Sequence, residues 1–127
     1  MVLANGCFDL FHYGHLKHLQ AARKFGDRLV VSVTEDSMVN KGIGRPVFSI
    51  EQRSEILRSL RCVDEVIWCV DAYHALVRVR PDVFVKGKEY EGKIQAHHQA
   101  YCDQHGIEIK FTDELVYSST KLLKYAS

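Results

Sequence analysis

The sequence has no long hydrophobic run. Its unbroken apolar stretches, such as Leu29 to Val31 or Val66 to Trp68, are only a few residues long, whereas a helix that crosses a bilayer needs roughly 20. A membrane span is excluded on that count. Neither sign of charge dominates: Lys and Arg total 17 against 16 for Asp and Glu. No global field therefore draws in nucleic acid, and any anion site has to be local. The four cysteines, Cys7, Cys62, Cys69 and Cys102, are irregularly spaced and form no Cys-x-x-Cys pair. A chain of 127 residues can hold a core without covalent staples, so reduced thiols are expected. No basic leader or small-residue cleavage site opens the sequence, and the expected address is the cytoplasm.

What is present is a globular mixture, 46% hydrophobic and 26% charged, too apolar for a disordered tail. Short β-rich runs alternate with helix-period segments along the whole length. That alternation predicts an α/β fold: a doubly wound, five-stranded parallel sheet with helices on both faces. Strands are expected over residues 2 to 5, 28 to 34, 65 to 70, 82 to 86 and 107 to 112. Helices are expected from Gly14 to Phe25, from the Ser49 cap to about Leu60, over Ala72 to Val79, from Lys93 to His105, and from Ser118 onward. Ser49 and Gln52 form a capping box, Asp71 can cap the third helix, and Gly26 and Gly106 are placed to end helices. With no linker, repeat or low-complexity segment, a single domain over residues 1 to 127 is expected.

Ligands of open parallel sheets bind at the strand carboxyl ends, where helix N-termini present free amides. The loop after the first strand reads Gly6-Cys7-Phe8-Asp9-Leu10-Phe11-His12-Tyr13-Gly14-His15. His12 and His15 sit three residues apart across a helix start, so both can face one ligand. Gly14 between them lets a bulky ligand approach the backbone. No Gly-x-Gly-x-x-Gly follows the strand and no Gly-Lys-Ser/Thr phosphate loop occurs, which argues against a dinucleotide oxidoreductase and a P-loop enzyme.

Gly-x-Phe-Asp-x-x-His-x-Gly-His resembles the signature of the cytidylyltransferase-like branch of the nucleotidyltransferase superfamily, whose fold is Rossmann-like, and every fixed position is present. The resemblance continues through Arg45-Pro46, Glu51-Gln52-Arg53, Val63-Asp64-Glu65-Val66, Pro81 to Gly87 and Ser118-Ser119-Thr120. It implies transfer of a nucleotidyl group from a nucleoside triphosphate, ATP or CTP, to a phosphorylated small-molecule acceptor, with release of pyrophosphate. By that resemblance His12, His15 and Lys41 are the catalytic residues. Gly6, Cys7, Phe8, Gly14, Ser118, Ser119 and Thr120 would bind the nucleotide, and Asp9, Arg45, Arg53, Lys86 and Gly87 the acceptor. Cys7 is not read as a nucleophile. Mg²⁺ would arrive with the triphosphate, since the sequence shows no tight carboxylate cluster. A homodimer is implied in the same way.

Val85-Lys86-Gly87 followed by Glu89-Tyr90 resembles the heptose 1-phosphate adenylyltransferase domain of ADP-heptose synthase, which favours a sugar phosphate acceptor. Residues 82 to 85 and 91 to 93 also resemble glycerol-3-phosphate cytidylyltransferase. That enzyme's Arg-Thr-Glu-Gly-Ile-Ser-Thr segment is here Asp113 to Ser119, without the arginine. A non-catalytic nucleotide-binding module is the remaining alternative.

Blander readings accompany these. His12, His15 and His18 at three-residue steps lack a thiol or carboxylate to complete a zinc set. His74, His97 and His98 read as solvated or capping imidazoles. Lys41 and Arg45 could be solvated loop charges, Arg53 could pair along its helix with Glu55, and Lys86 could cap a strand end. Trp68 and Phe84, in apolar strand runs, read as core.

Overall fold

A computed structural model describes residues 1 to 36 and 46 to 113. Five strands, β1 (Val2–Gly6), β2 (Leu29–Thr34), β3 (Glu65–Cys69), β4 (Val83–Gly87) and β5 (Glu108–Thr112), form one sheet. All pairings are parallel, in the order β3-β2-β1-β4-β5. Among the described residues four α-helices, α1 (Tyr13–Arg23), α2 (Ile50–Arg58), α3 (Ala72–Val79) and α4 (Ala96–His105), lie between the strands. The α/β, doubly wound class read from the alternation, Rossmann-like as the resemblance implies, is the one observed.

The central strand shows why the sheet is covered on both sides. Side chains alternate across a strand, and in β1 Val2, Leu3 and Ala4 are all buried. Val2 and Ala4 pack with Leu19 and Ala22 of α1 and with Ile50 and Leu57 of α2. Leu3 packs on the opposite face with Ala75 and Leu76 of α3 and Cys102 of α4. Phe84 joins that second cluster and is fully buried, as expected. Trp68 departs from the expectation. It lies in edge strand β3, is 40% exposed, and donates its indole N–H to Ser54 Oγ at 2.7 Å.

Local signals set most boundaries. The Ser49–Gln52 capping box opens α2, Asp71 accepts the His74 amide at the start of α3, and Gly106 ends α4 with φ +67°. The helix expected from Lys93 begins three residues later. A short 3₁₀ turn over Lys88–Tyr90 and Gly92 at φ +76° redirect the backbone first. Gly26 is required where the chain leaves α1, because a Cβ there would lie 2.8 Å from Val2 Cγ2. All four cysteines are free thiols. Among the described residues no helix is long and apolar enough to cross a membrane. The helix expected from Ser118 lies outside the described residues.

Strand order reverses between β1 and β4. The chain leaves β1 into α1 on one face and leaves β4 toward α4 on the other, so the crevice of the sheet opens between the β1–α1 loop and the end of β4. This is the position where such sheets bind ligands.

Candidate active site

The crevice floor is the β1–α1 loop, which holds one residue in an uncommon backbone conformation. Phe8 adopts φ +49°, a left-handed conformation that is costly for a non-glycine residue and persists only when its surroundings enforce it. Its ring is buried and folds back over Gly6, where a Cβ would come within 2.8 Å of Phe8 Cε2. The same ring meets His15 edge-on at 5.4 Å, and Phe11 lies 5.5 Å from His15. Gly6, expected at the nucleotide, therefore also makes room for the ring that positions His15.

His12 is the N-cap of α1 and His15 its third residue. Together they make a capping box from two imidazoles in place of the usual hydroxyl and carboxyl groups. His12 Nδ1 accepts the Gly14 N–H at 3.0 Å, and His15 Nδ1 accepts the His12 N–H at 3.3 Å. A nitrogen that accepts carries no proton, so each neutral ring bears its hydrogen on Nε2. Their centroids are 3.9 Å apart and the rings stack at 27°. Burial pushes the pKa of His12 below the ordinary imidazole value, which keeps that ring a neutral N–H donor at neutral pH. Gly14, itself buried, supplies the amide that orients His12.

Asp9 and Arg53, both expected at the acceptor, are turned inward. Asp9 is 2% exposed, and its two carboxylate oxygens accept the Val47 and Phe48 amides at 2.8 and 2.9 Å. Arg53 is fully buried. Its Nε donates to the Phe48 carbonyl at 3.1 Å and one terminal nitrogen to the Cys7 carbonyl at 2.7 Å. The other terminal nitrogen is paired with Asp36. The suggested helix-face pairing of Arg53 with Glu55 is replaced by this three-way brace, because the side chain points into the fold. It joins the end of β2, the β1–α1 loop and the entry to α2. Lys41 and Arg45 lie outside the described residues, but both flanks of their segment are anchored, Asp36 on Arg53 and residues 47 and 48 on Asp9. Ser118, Ser119 and Thr120 likewise lie outside the described residues.

Across the crevice, Lys86 stands near the end of β4, beside the buried Gly87. Its ammonium lies 4.5 Å from the Tyr90 ring centroid and 5.7 Å from that of Phe84. Among the described residues no carboxylate pairs with it. Burial pushes its pKa down, and the charge of Glu89 opposes that only in part. A partly buried cation flanked by rings is electrostatically unsatisfied and favours an arriving anion.

Two histidines that the sequence left off the site are buried. His18 is 5% exposed, and its Nδ1 lies 2.5 Å from Thr112 Oγ1, linking α1 to the end of β5. Burial, reinforced by the charge of Lys86, lowers its pKa to about 4. His98 is 7% exposed, contrary to the solvated or capping role read from the sequence. The signal that could have revealed it is its helical spacing of four from the buried Cys102. His74 is exposed and pairs with Asp71 at 2.7 Å, in keeping with a capping imidazole. Among the described residues no group of three or more His, Cys, Asp or Glu could hold a metal ion.

Comparison with known proteins bears on the family and the fold. The cytidylyltransferase-like family matches residues 3 to 123. The chain belongs to that family of nucleotidyltransferases. It is 41% identical over 127 residues to the bifunctional protein HldE of Alkalilimnicola ehrlichii, covering 97% of this chain and 26% of that protein. With HldE of Streptomyces coelicolor it is 50% identical over 96 residues, 72% of this chain and 21% of that one. The chain thus spans about a quarter or less of the length of these curated relatives. The crystal structure of the lipopolysaccharide core biosynthesis protein from Thermoplasma volcanium superposes with a TM-score of 0.67 at 32% identity, covering 87% of this chain and 91% of that one. A protein of unknown function from Archaeoglobus fulgidus shares the fold, with a TM-score of 0.68 at 20% identity over 93% of each chain.

Proposed function

We propose that this nucleotidyltransferase transfers a nucleoside monophosphate from a triphosphate to a sugar phosphate such as heptose 1-phosphate, forming a nucleotide-activated sugar and pyrophosphate. The observation that carries the reading is the His12–His15 pair, two imidazoles with their protons on Nε2 after β1, with Lys86, which no carboxylate pairs among the described residues, near the end of the neighbouring strand β4. The resemblance of Val85-Lys86-Gly87 and Glu89-Tyr90 to the heptose 1-phosphate adenylyltransferase domain, together with the likeness to HldE, supports adenine as the base and heptose 1-phosphate as the acceptor.

The chemistry explains why donors rather than bases line the site. The nucleophile is an oxygen of the acceptor's phosphate, already ionised at neutral pH, so no proton has to be removed. That oxygen attacks the α-phosphorus in line, the bond from phosphorus to the β-bridging oxygen breaks, and pyrophosphate leaves with the electron pair. Charge builds on the α-phosphoryl oxygens and the leaving group, and the imidazole N–H groups are placed to meet it. Lys86 neutralises the acceptor's phosphate. Lys41 and Arg45 bring cationic charge to the polyphosphate, and Ser118, Ser119 and Thr120 donate to its β- and γ-phosphates. Asp9 and Arg53 keep the loop in register without touching substrate. A Mg²⁺ arriving with the triphosphate would be held by its phosphate oxygens and would neutralise part of their charge.

The test is pyrophosphate release from ATP and from CTP with sugar 1-phosphates and glycerol 3-phosphate, each pair assayed separately. ATP with heptose 1-phosphate is expected to turn over best. Turnover confined to CTP with glycerol 3-phosphate would identify the other acceptor class. Triphosphate binding without any product would identify a non-catalytic module.

A further inference from the structure

Three features on the α3–α4 side of the crevice take no part in the chemistry described so far. His98 is 7% exposed, yet neither ring nitrogen has a hydrogen-bond partner among the described residues. Among those residues the one sealed side-chain polar atom left without a partner is the Tyr101 hydroxyl, so the nitrogens of His98 are not sealed. The ring also lies parallel to Tyr73 of α3, with 17° between planes and centroids 6.4 Å apart, and Tyr73 meets Tyr101 edge-on at 5.7 Å. The imidazole is held in place, and its polar atoms are left for something that is not protein.

The surroundings indicate what that is. The positive charge of Lys86 acts on His98, as do His97 from its own helix and Asp71 from the cap of α3. Burial, together with the His97 and Lys86 charges, holds the pKa of His98 below its ordinary value, with Asp71 opposing. A neutral imidazole offers one donor and one acceptor, which matches a hydroxyl group better than a phosphate oxygen, because the hydroxyl can also donate and accept. The neighbouring ammonium of Lys86 suits the phosphate. Lys86, near the end of β4, and His98, in the first turn of α4, thus match a compound that carries a hydroxyl close to its phosphate.

We propose that His98 is a specificity-determining residue whose imidazole binds a hydroxyl of the phosphorylated acceptor next to Lys86, with Tyr73 fixing the plane of the ring. The assignment rests on the nucleotidyl-transfer reading for the identity of the acceptor, but the binding role can be tested without turnover. In the 127-residue chain, the His98 imidazole nitrogens are followed by ¹⁵N NMR during titration with each sugar 1-phosphate of the panel and with inorganic phosphate. At least one sugar phosphate is expected to move the His98 signals saturably and further than inorganic phosphate does. If no member of the panel moves them, the proposal is overturned.

Kinetics supply the second arm. His98→Phe keeps the flat ring against Tyr73 and removes the nitrogens, and should raise the acceptor KM about tenfold while the triphosphate KM stays the same. His98→Gln, which keeps a donor and an acceptor, should recover most of that loss. An unchanged acceptor KM in the folded Phe variant contradicts the proposal. If no triphosphate and acceptor pair turns over, the nucleotidyl-transfer reading fails, while a saturable response of His98 to a sugar phosphate still supports the binding role.

Discussion

The ring of His12 stacks on the ring of His15 at 3.9 Å, and each Nδ1 accepts a main-chain amide of the same turn. The helix cap and the proposed catalytic donors are therefore the same two side chains. Capping fixes the tautomer, and the tautomer makes the outer nitrogen a donor.

This dual use can be separated by substitution. Asn is a good N-cap, so His12→Asn should keep α1 intact while removing the Nε2 donor. A fall in kcat of about 100- to 1,000-fold is expected, the usual cost of losing one such donor, with little change in the thermal midpoint. His15→Gln, which restores the ordinary capping-box residue at the third position, should behave in the same way. Steady-state kinetics beside thermal melts check both.

Arg53 should behave as a brace. Removing it leaves the Phe48 and Cys7 carbonyls and Asp36 without their donor, and opens a cavity in the core. Arg53→Met is expected to cost about 3 kcal/mol in urea unfolding. Arg53→Lys should recover little, since an ammonium cannot span three acceptors in divergent directions.

His18 makes the fold acid-sensitive. Its pKa falls from 6.5 to about 4 on folding, so between those values the unfolded chain binds the proton that the folded chain refuses. The His18 contribution is complete above pH 6.5, declines as the pH falls toward 4, and amounts to about 3 kcal/mol. Unfolding free energies of the wild type and of His18→Leu, measured from pH 7 to 4, should differ in slope, with the wild type the steeper.

Lys86→Met should raise the acceptor KM by about tenfold to a hundredfold with the triphosphate KM almost unchanged, as expected when one charge-assisted contact to phosphate is lost. In the wild type the acceptor KM should climb with pH before the ordinary lysine value of 10.5 is reached, because burial has lowered the Lys86 pKa. KM measured against pH for wild type and variant is the check.

How much of this was legible in the sequence follows from the range of the forces involved. Ser49 with Gln52, Asp71 and Gly106 act within one helical turn, and their roles could be read directly. The grouping of His12, Gly14 and His15 at one helix start could be read for the same reason, since all three are local. Arg53 was not legible, because its acceptors, Cys7 and Asp36, lie 46 and 17 residues away. His98 was misjudged because its burial depends on Tyr73 in another helix. Trp68 was misplaced because an apolar run does not reveal that its strand lies at the sheet edge.

The central claim is that two imidazoles capping one helix drive transfer at the α-phosphorus. Its most direct test is product formation from triphosphate and sugar 1-phosphate by the wild type and by His12→Asn and His15→Gln, side by side at equal folded concentration. The account predicts a nucleotide-activated sugar and stoichiometric pyrophosphate from the wild type, with each variant slower by two orders of magnitude or more. Variants that match the wild type would contradict it.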